Sequence, residues 1–461
     1  MGKKAVVLGG GGAKGAYEIG VMEALMALKY DYQIVTGTSV GSLNGALFAQ
    51  KDLKLAKKMW LEIDTTRVLD IDTLSPEEVN YKELGKLLVE NKGLSYRNLE
   101  KLLTQVISEK KIRSSGVDFG LVTVRYPLMQ PVQLFLDQME EGKLLDYLLA
   151  SAACFPAMKK HEIDGKKYID GGYYDNLPVD LAIARGAEEI VAVDLDAVGA
   201  VRKKKIPDGV SVVTVKSEWP LGPMLIFDKD QAKQNMKQGY VDTLKAFGKL
   251  EGKKFCFRLG ENKKIFQRLY PYLEKWNEKM FCDAGNALLH MAQTSAEALY
   301  KKRWHSERRL QREERYQAMC EGLMEIFQLD RFSEYTYHSM AKELVCAYQA
   351  IDDTPAHILE EKIAEISRTK RFIENIEPFA ALLAEMDRRV VVKYLIQTLR
   401  QIGEKNKERG IFSLFFICIP LETTSAMFYL ALADRLRQSV GGRMLLQLGK
   451  EKKHERFFKT D

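Results

Sequence analysis

The run Gly9-Gly10-Gly11-Gly12-Ala13-Lys14-Gly15 constrains this chain more than any other segment. It follows the short β-branched stretch Lys4–Leu8. It precedes Lys14–Lys29, where Ile19, Met22 and Leu25 or Met26 recur at helical spacing. A glycine-rich turn between a strand and a helix lets the backbone approach a ligand closely, and it aims N–H groups at an anion. A P-loop needs a lysine followed by serine or threonine, but here Gly15 follows Lys14. A dinucleotide turn needs G-x-G-x-x-G, which Gly10, Gly12 and Gly15 satisfy, and also an acid closing the next strand. Asp31 stands before that strand, and Thr36 to Ser39 ends it. An oxyanion hole is the third use. The loop alone leaves nucleotide and oxyanion readings level, with a plain tight turn behind them.

The alternation continues downstream. Gln33–Thr36 reads as a strand and Val40–Ala49 as a helix. Further strands are expected at 117–124, 132–136, 167–169, 189–194 and 210–216. Continuous apolar runs joined by helices predict a mostly parallel sheet covered on both faces. Glycine marks where this pattern stops: 26 of the 33 glycines lie in residues 1–260 and seven in 261–461. Beyond the break, Val391, Leu395, Leu399 and Ile402 form one helical stripe, and Ile363, Ile366, Phe372, Ile373 and Ile376 form similar patterns. The expected organisation is an α/β domain over 1–260 and an all-helical domain of unassigned role over 261–461.

Composition narrows the partners. Lys plus Arg is 70 and Asp plus Glu is 63, a formal charge of +7 over 461 residues, which is too dilute for a nucleic-acid stripe. Cys154, Cys256, Cys282, Cys320, Cys346 and Cys418 show no C-x-x-C spacing, so no zinc or disulfide framework is expected. Lys3 and Lys4 lead into an apolar run of only Ala5–Leu8, too short for an export signal, and Val6 stands where myristoylation wants serine or threonine. No stretch reaches the ~18 apolar residues of a membrane span. The expected compartment is the cytoplasm, with peripheral contact at the inner membrane surface left open.

Gly37-Thr38-Ser39-Val40-Gly41 is a G-x-S-x-G between a strand and a helix. In that context it is a nucleophile elbow, a sharp turn that exposes the serine hydroxyl at the sheet edge while Gly37 and Gly41 remove clashing side chains. The bare pentapeptide arises by chance in roughly one chain in ten of this length, so the context carries the weight. The plain alternative is a turn with a capping serine. A nucleophilic serine needs a base. Of the six histidines only His161 lies in the α/β part, in what reads as a solvated Lys-Lys-His-Glu turn. The other five fall in the helical part, so either the serine is inert or a carboxylate serves as its base directly. Asp170-Gly171-Gly172 follows the strand 167–169, which puts Asp170 at a strand end with bare backbone behind it. Burial beside Ser39 would raise its pKa towards a useful value. By itself, Asp-Gly there is equally a plain turn.

Together these residues resemble the patatin-like phospholipase family over the first ~250 residues, with the motif core at 5–183. The resemblance rests on Gly10–Gly15, Gly37–Gly41 and Asp170–Gly172 in that order, with Ser151–Pro156 before the last motif and Asp175-Asn176-Leu177-Pro178 after it. It implies a three-layer α/β sandwich with a mostly parallel central sheet. It implies Ser39 as nucleophile, Asp170 as general base, and the backbone of Gly10, Gly11 and Gly12 as oxyanion hole. Lys14, Gly15, Gly37, Gly41, Gly171 and Gly172 support them. The implied activity is hydrolysis of lipid carboxylic esters through an acyl-enzyme, with no metal and no cofactor. The alternative is a non-catalytic lipid-binding or interaction protein on the same scaffold, and a nucleotide-dependent reading is weakened by the missing ribose acid.

A lipid ester substrate brings the chain to a membrane surface. Ile411–Pro420 is strongly apolar, and the tail from Asp434 carries eight Lys or Arg against four acids. A buried core helix and a solvated tail are the commoner fates of such stretches. Chain length, headgroup, bond position, oligomeric state and protein partners are not encoded in any motif.

Overall fold

The computed structural model describes residues 2–71, 80–91, 93–202, 205–281, 294, 298–299, 301–302, 311–368, 376–402, 415–416 and 418–447. They divide into two compact units, Met1–Lys249 and Leu250–Asp461.

The first unit is built on an eight-stranded sheet. Its strands are β1 Lys3–Leu8, β2 Ile34–Thr38, β3 Asp118–Tyr126, β4 Gln130–Phe135, β5 His161–Ile163, β6 Lys166–Asp170, β7 Ala187–Asp194 and β8 Ser211–Lys216. The spatial order is β5-β6-β3-β2-β1-β7-β8, with β4 also paired to β3. Strands β3, β2, β1, β7 and β8 run parallel. Ala5, Val6, Val7 and Leu8 are all fully buried. Both faces of β1 are therefore covered, which is why the run does not alternate. The edge formed by β4, β5 and β6 is antiparallel. The connections explain this: Pro127–Met129 and Asp164–Gly165 are too short for the crossover that parallel neighbours require.

Helix α1 (Ala16–Ala27) packs on the helix Lys229–Ala246. A Cβ on Gly20 would lie 1.8 Å from Met236 O, and one on Gly239 would lie 2.0 Å from Tyr17 O, so the two backbones touch where glycines face each other. Helix α2 (Val40–Ala49) is buried along its whole length. Helices α3 (Leu53–Glu62), α4 (Thr65–Val68), α5 (Tyr81–Asn91) and α6 (Arg97–Val106) follow. Trp60, Val68, Leu84, Leu99 and Leu103 from these helices join the main core.

One sequence expectation fails at β5. His161 is not in a solvated turn. Its ring is half-buried, with Nδ1 2.9 Å from the Tyr96 hydroxyl and Nε2 3.2 Å from Asp146 Oδ1. A three-residue strand is too short to show a period.

The second unit contains helices Glu261–Phe281, Arg312–Ile326, Tyr337–Ala350, Thr354–Arg368, Ile376–Glu385, Arg388–Ile402 and Pro420–Arg437. It is not purely helical, since Cys256–Phe257 pairs in parallel with Glu334–Tyr335. Residues 250–260, grouped by glycine content with the first part, lie in this unit because Phe255, Cys256 and Phe257 are fully buried there. The stripe Val391, Leu395, Leu399 is buried as its spacing predicts. Phe415 and Phe416 of the apolar run are buried, and Pro420 opens the helix that follows. Residues 411–414 and 417, and the tail 448–461, lie outside the described residues. Among the described residues no helix is long and apolar enough to cross a membrane.

Candidate active site

The site forms where the parallel strands end. β1 and β2 finish side by side, with Leu8 opposite Gly37, and Thr38 stands opposite Val122 of β3. The glycine loop leaves β1 at this level, and Ser39 leaves β2. Ser39 has φ 54° and ψ −128°, a backbone region that non-glycine residues enter at a cost of roughly 1–3 kcal/mol. Several contacts hold it there. Its N–H donates to Ser151 Oγ at 3.0 Å, and the Ser151 hydroxyl donates on to Val122 O at 2.7 Å. The Ser42 amide and hydroxyl donate to Ser39 O at 2.9 and 2.6 Å. Flanking glycines leave room for the turn. A Cβ on Gly37 would lie 2.2 Å from Gly41 O, and one on Gly41 would lie 2.5 Å from Leu8 O. The side-chain-free elbow read from the sequence is thus a steric necessity.

Asp170 ends β6 opposite Thr123, and its N–H donates to Ala153 O at 2.9 Å. Its side chain accepts from Gly172 N–H at 2.7 Å, and the Ser39 side chain stands beside it. Burial pushes the Asp170 carboxyl up to about 6, against the pull of the Ser39 side chain and the Gly172 amide. Burial, with the Asp170 charge second, pushes the neighbouring Cys154 thiol up to about 12, so it stays protonated.

The glycine loop divides its work. Gly10 N–H donates to Asn176 O at 3.0 Å, and Asn176 Nδ2 returns a bond to Gly10 O at 3.1 Å. This latch fixes the loop but commits the Gly10 amide. Among the described residues, the amides of Gly11 and Gly12 have no intramolecular acceptor. The sequence grouped all three glycines as donors; in the structure Asn176 O occupies the amide of Gly10. Lys14 Nζ donates to Leu195 O at 3.3 Å and Asp196 O at 2.8 Å, tying the loop to the end of β7.

Behind the loop sits a polar cluster that sequence reasoning missed. Glu18 and Asn44 are fully buried. Asn44 Nδ2 donates to Glu18 Oε2 at 2.7 Å and to Gly15 O at 3.0 Å, and Trp60 Nε1 donates to Asn44 Oδ1 at 2.9 Å. Burial drives the Glu18 carboxyl well above the usual range, outweighing Asn44 and the Gly9 amide, which pull it down. The cluster links the loop, the helix that follows Ser39 and helix α3. A glutamate inside the apolar spacing of α1 was the one available signal.

Gly10, Gly11, Gly12, Ser39, Asp170 and Gly172 all line one cavity of about 480 Å³. Its far walls are apolar: Leu43, Met59, Trp60, Ile63, Leu99, Leu103, Met158 and Phe227. Trp60 and Phe227 stack there with ring centroids 6.0 Å apart. None of the lining residues is a histidine, and Asp170 is the sole ionisable carboxylate among them. The volume is that of a small-molecule site, and the lining suits a hydrocarbon chain.

The site thus sets a half-buried serine, on a strained strand-to-helix turn at the end of a mostly parallel sheet, beside a buried carboxylate and a glycine loop. Residues 6–183 match the family model of the patatin-like phospholipases. Patatin-like phospholipase domain-containing protein 7 of Rattus norvegicus is 28% identical over 198 residues, 41% of this chain and 13% of that protein. Patatin-like phospholipase domain-containing protein 6 of Homo sapiens is 29% identical over 200 residues, again 41% and 13%. Lysophospholipase nte1 of Aspergillus fumigatus is 28% identical over 199 residues, 42% and 12%. The match thus spans about an eighth of these relatives' length. The crystal structure of VipD from Legionella pneumophila superposes with a TM-score of 0.37 at 13% identity, covering 92% of this chain and 91% of that one.

Proposed function

We propose that this protein is a serine acyl hydrolase of lipid carboxylic esters, of the phospholipase or lysophospholipase type. The observation that carries the reading is that Ser39 and the buried Asp170 come together in the lining of one largely apolar cavity. The names of the relatives, phospholipases and a lysophospholipase, support the same substrate class.

In this mechanism the acyl chain lies along the apolar walls, where each buried methylene contributes about 0.8 kcal/mol. Ser39 Oγ attacks the carbonyl carbon, and Asp170 takes the hydroxyl proton. The amides of Gly11 and Gly12 receive the oxyanion; loss of one such donor typically costs about 3–4 kcal/mol of transition-state stabilisation. The intermediate collapses by breaking the bond to the alcohol, which leaves with the proton from Asp170. Water then attacks the acyl-Ser39 ester, Asp170 accepts its proton, and the fatty acid departs as Ser39 Oγ recovers a proton. A carboxyl at about 6 is mostly ionised at neutral pH yet basic enough to act, close to the optimum for a general base.

The test is release of fatty acid from lysophosphatidylcholine and of nitrophenol from a short-chain nitrophenyl ester, by the protein and by Ser39→Ala. Turnover by the first and background rates with the variant support the reading. A folded wild-type protein inert on both, and on diacyl phospholipid, would favour a binding protein on the same scaffold.

A further inference from the structure

The geometry points to a membrane-docking ridge on the first unit: an aromatic and apolar crest beside the cavity mouth, flanked by lysines, that seats the protein on an anionic lipid surface. The sheet places it. Thr38 pairs with Val122, but β3 runs on to Tyr126, so the turn Pro127-Leu128-Met129 stands beyond the level of Ser39. At about 3.3 Å per residue, four residues carry it roughly 13 Å outward. Lys167 pairs opposite Tyr126, so Lys166 and Lys167 lie at that same outer level.

Ring contacts join the crest to the cavity. Tyr173 lines the cavity, and its hydroxyl donates to Phe155 O. The Phe155 ring lies 5.9 Å from the Tyr126 ring, and Tyr126 leads into the turn. Lys160 Nζ stands over both rings, 3.8 Å from the Tyr126 centroid and 4.4 Å from that of Phe155. At the tip Leu128 is 77% exposed and Met129 46%, and at the mouth Val198 is 93% exposed and Tyr173 45%. Large apolar side chains held out in water beside an apolar cavity signal a surface with something to cover it. Half-buried rings topped by a lysine ammonium group suit the boundary between hydrocarbon and headgroups. Exposed Lys159, Lys166 and Lys167 supply the charge complement to anionic headgroups.

The choice of a lipid surface as occupant rests on the hydrolase reading; the ridge itself rests only on exposure, contacts and strand register. In this seating the leading apolar side chains enter the headgroup boundary, and the cavity mouth opens where an acyl chain can be drawn from the layer. This seating assigns the membrane contact to the first unit rather than to the apolar run and basic tail that the sequence put forward.

The full chain tests this by sedimentation with vesicles of phosphatidylcholine containing about one-third phosphatidylglycerol. Leu128→Asp with Met129→Asp should weaken vesicle binding at least tenfold, while turnover of a dissolved short-chain nitrophenyl ester stays within about twofold. Lys166→Glu with Lys167→Glu should weaken it several-fold at low salt and little at high salt. Unchanged vesicle binding by the Leu128/Met129 variant overturns the proposal. So does a wild-type protein that ignores vesicles, or one whose self-association the same variant abolishes. Binding lost from a variant of an inert protein would sink the hydrolase reading while keeping the ridge.

Discussion

Two buried aspartates five positions apart make the sharpest contrast in the molecule. Asp170 and Asp175 are 6% and 1% exposed, and burial raises each carboxyl to about 6. Their surroundings differ. Asp170 meets the Ser39 hydroxyl and lines the cavity. Asp175 accepts from Leu177 N–H at 3.3 Å, in the turn that also receives the Thr38 hydroxyl through Asp175 O at 2.8 Å. A raised carboxyl therefore marks burial, and only the partner it faces marks chemistry.

The largest expected effect separates the pair by activity. Asp170→Asn keeps an acceptor for Gly172 N–H but removes the base, so kcat should fall roughly a thousandfold with the fold retained, measured by ester turnover and thermal melting. Asp175→Ala should do the reverse: it orphans the Leu177 amide and costs about 1–3 kcal/mol of stability, with kcat of the folded protein within about threefold. Equal loss of kcat in both would break the contrast.

Linkage should show what the two share. A carboxyl raised on folding binds its proton more tightly in the folded chain, so its contribution to stability is full below the unfolded pKa near 4 and lost as pH rises through about 6. Each would contribute up to about 3 kcal/mol to that fall, and denaturant melts across the window should flatten in Asp170→Asn. Over the same window kcat/KM should climb, because ionised Asp170 is the active form, and level off above about 7. Opposite slopes for stability and activity are the signature.

Smaller effects probe the braces. Ser151→Ala removes the acceptor of Ser39 N–H and the donor to Val122 O. It should cost about 1–2 kcal/mol of stability and lower kcat more than it changes KM. Burial holds the Glu18 carboxyl above its usual range, so its contribution to stability is lost as pH rises, and Glu18→Gln should gain stability relative to the wild type in that direction. Circular dichroism melts against pH check this.

What the sequence made legible follows from local chemistry. Helix α2 appears at Val40–Ala49, and Ser39, Asp170, Gly11 and Gly12 come to one cavity, because each sits in a short motif whose turn dictates its own geometry. The groups that were not legible act across the chain. Ser151 reaches Ser39 over 112 positions, and Asn176 reaches Gly10 over 166. Both lie in segments whose resemblance was visible, yet no local rule assigns them a hydrogen bond. The Gly10 amide could not be told from its neighbours until Asn176 O was found on it. His161 and the Cys256–Phe257 pairing escaped for another reason: segments of two or three residues carry no period.

The most direct measurement treats the folded protein with a fluorophosphonate and maps the adduct by tandem mass spectrometry. The account predicts one phosphonyl group on Ser39, formed much more slowly in Asp170→Asn and with a rate that rises with pH around 6. A folded protein that takes up no label, or carries it on any other side chain, would contradict it.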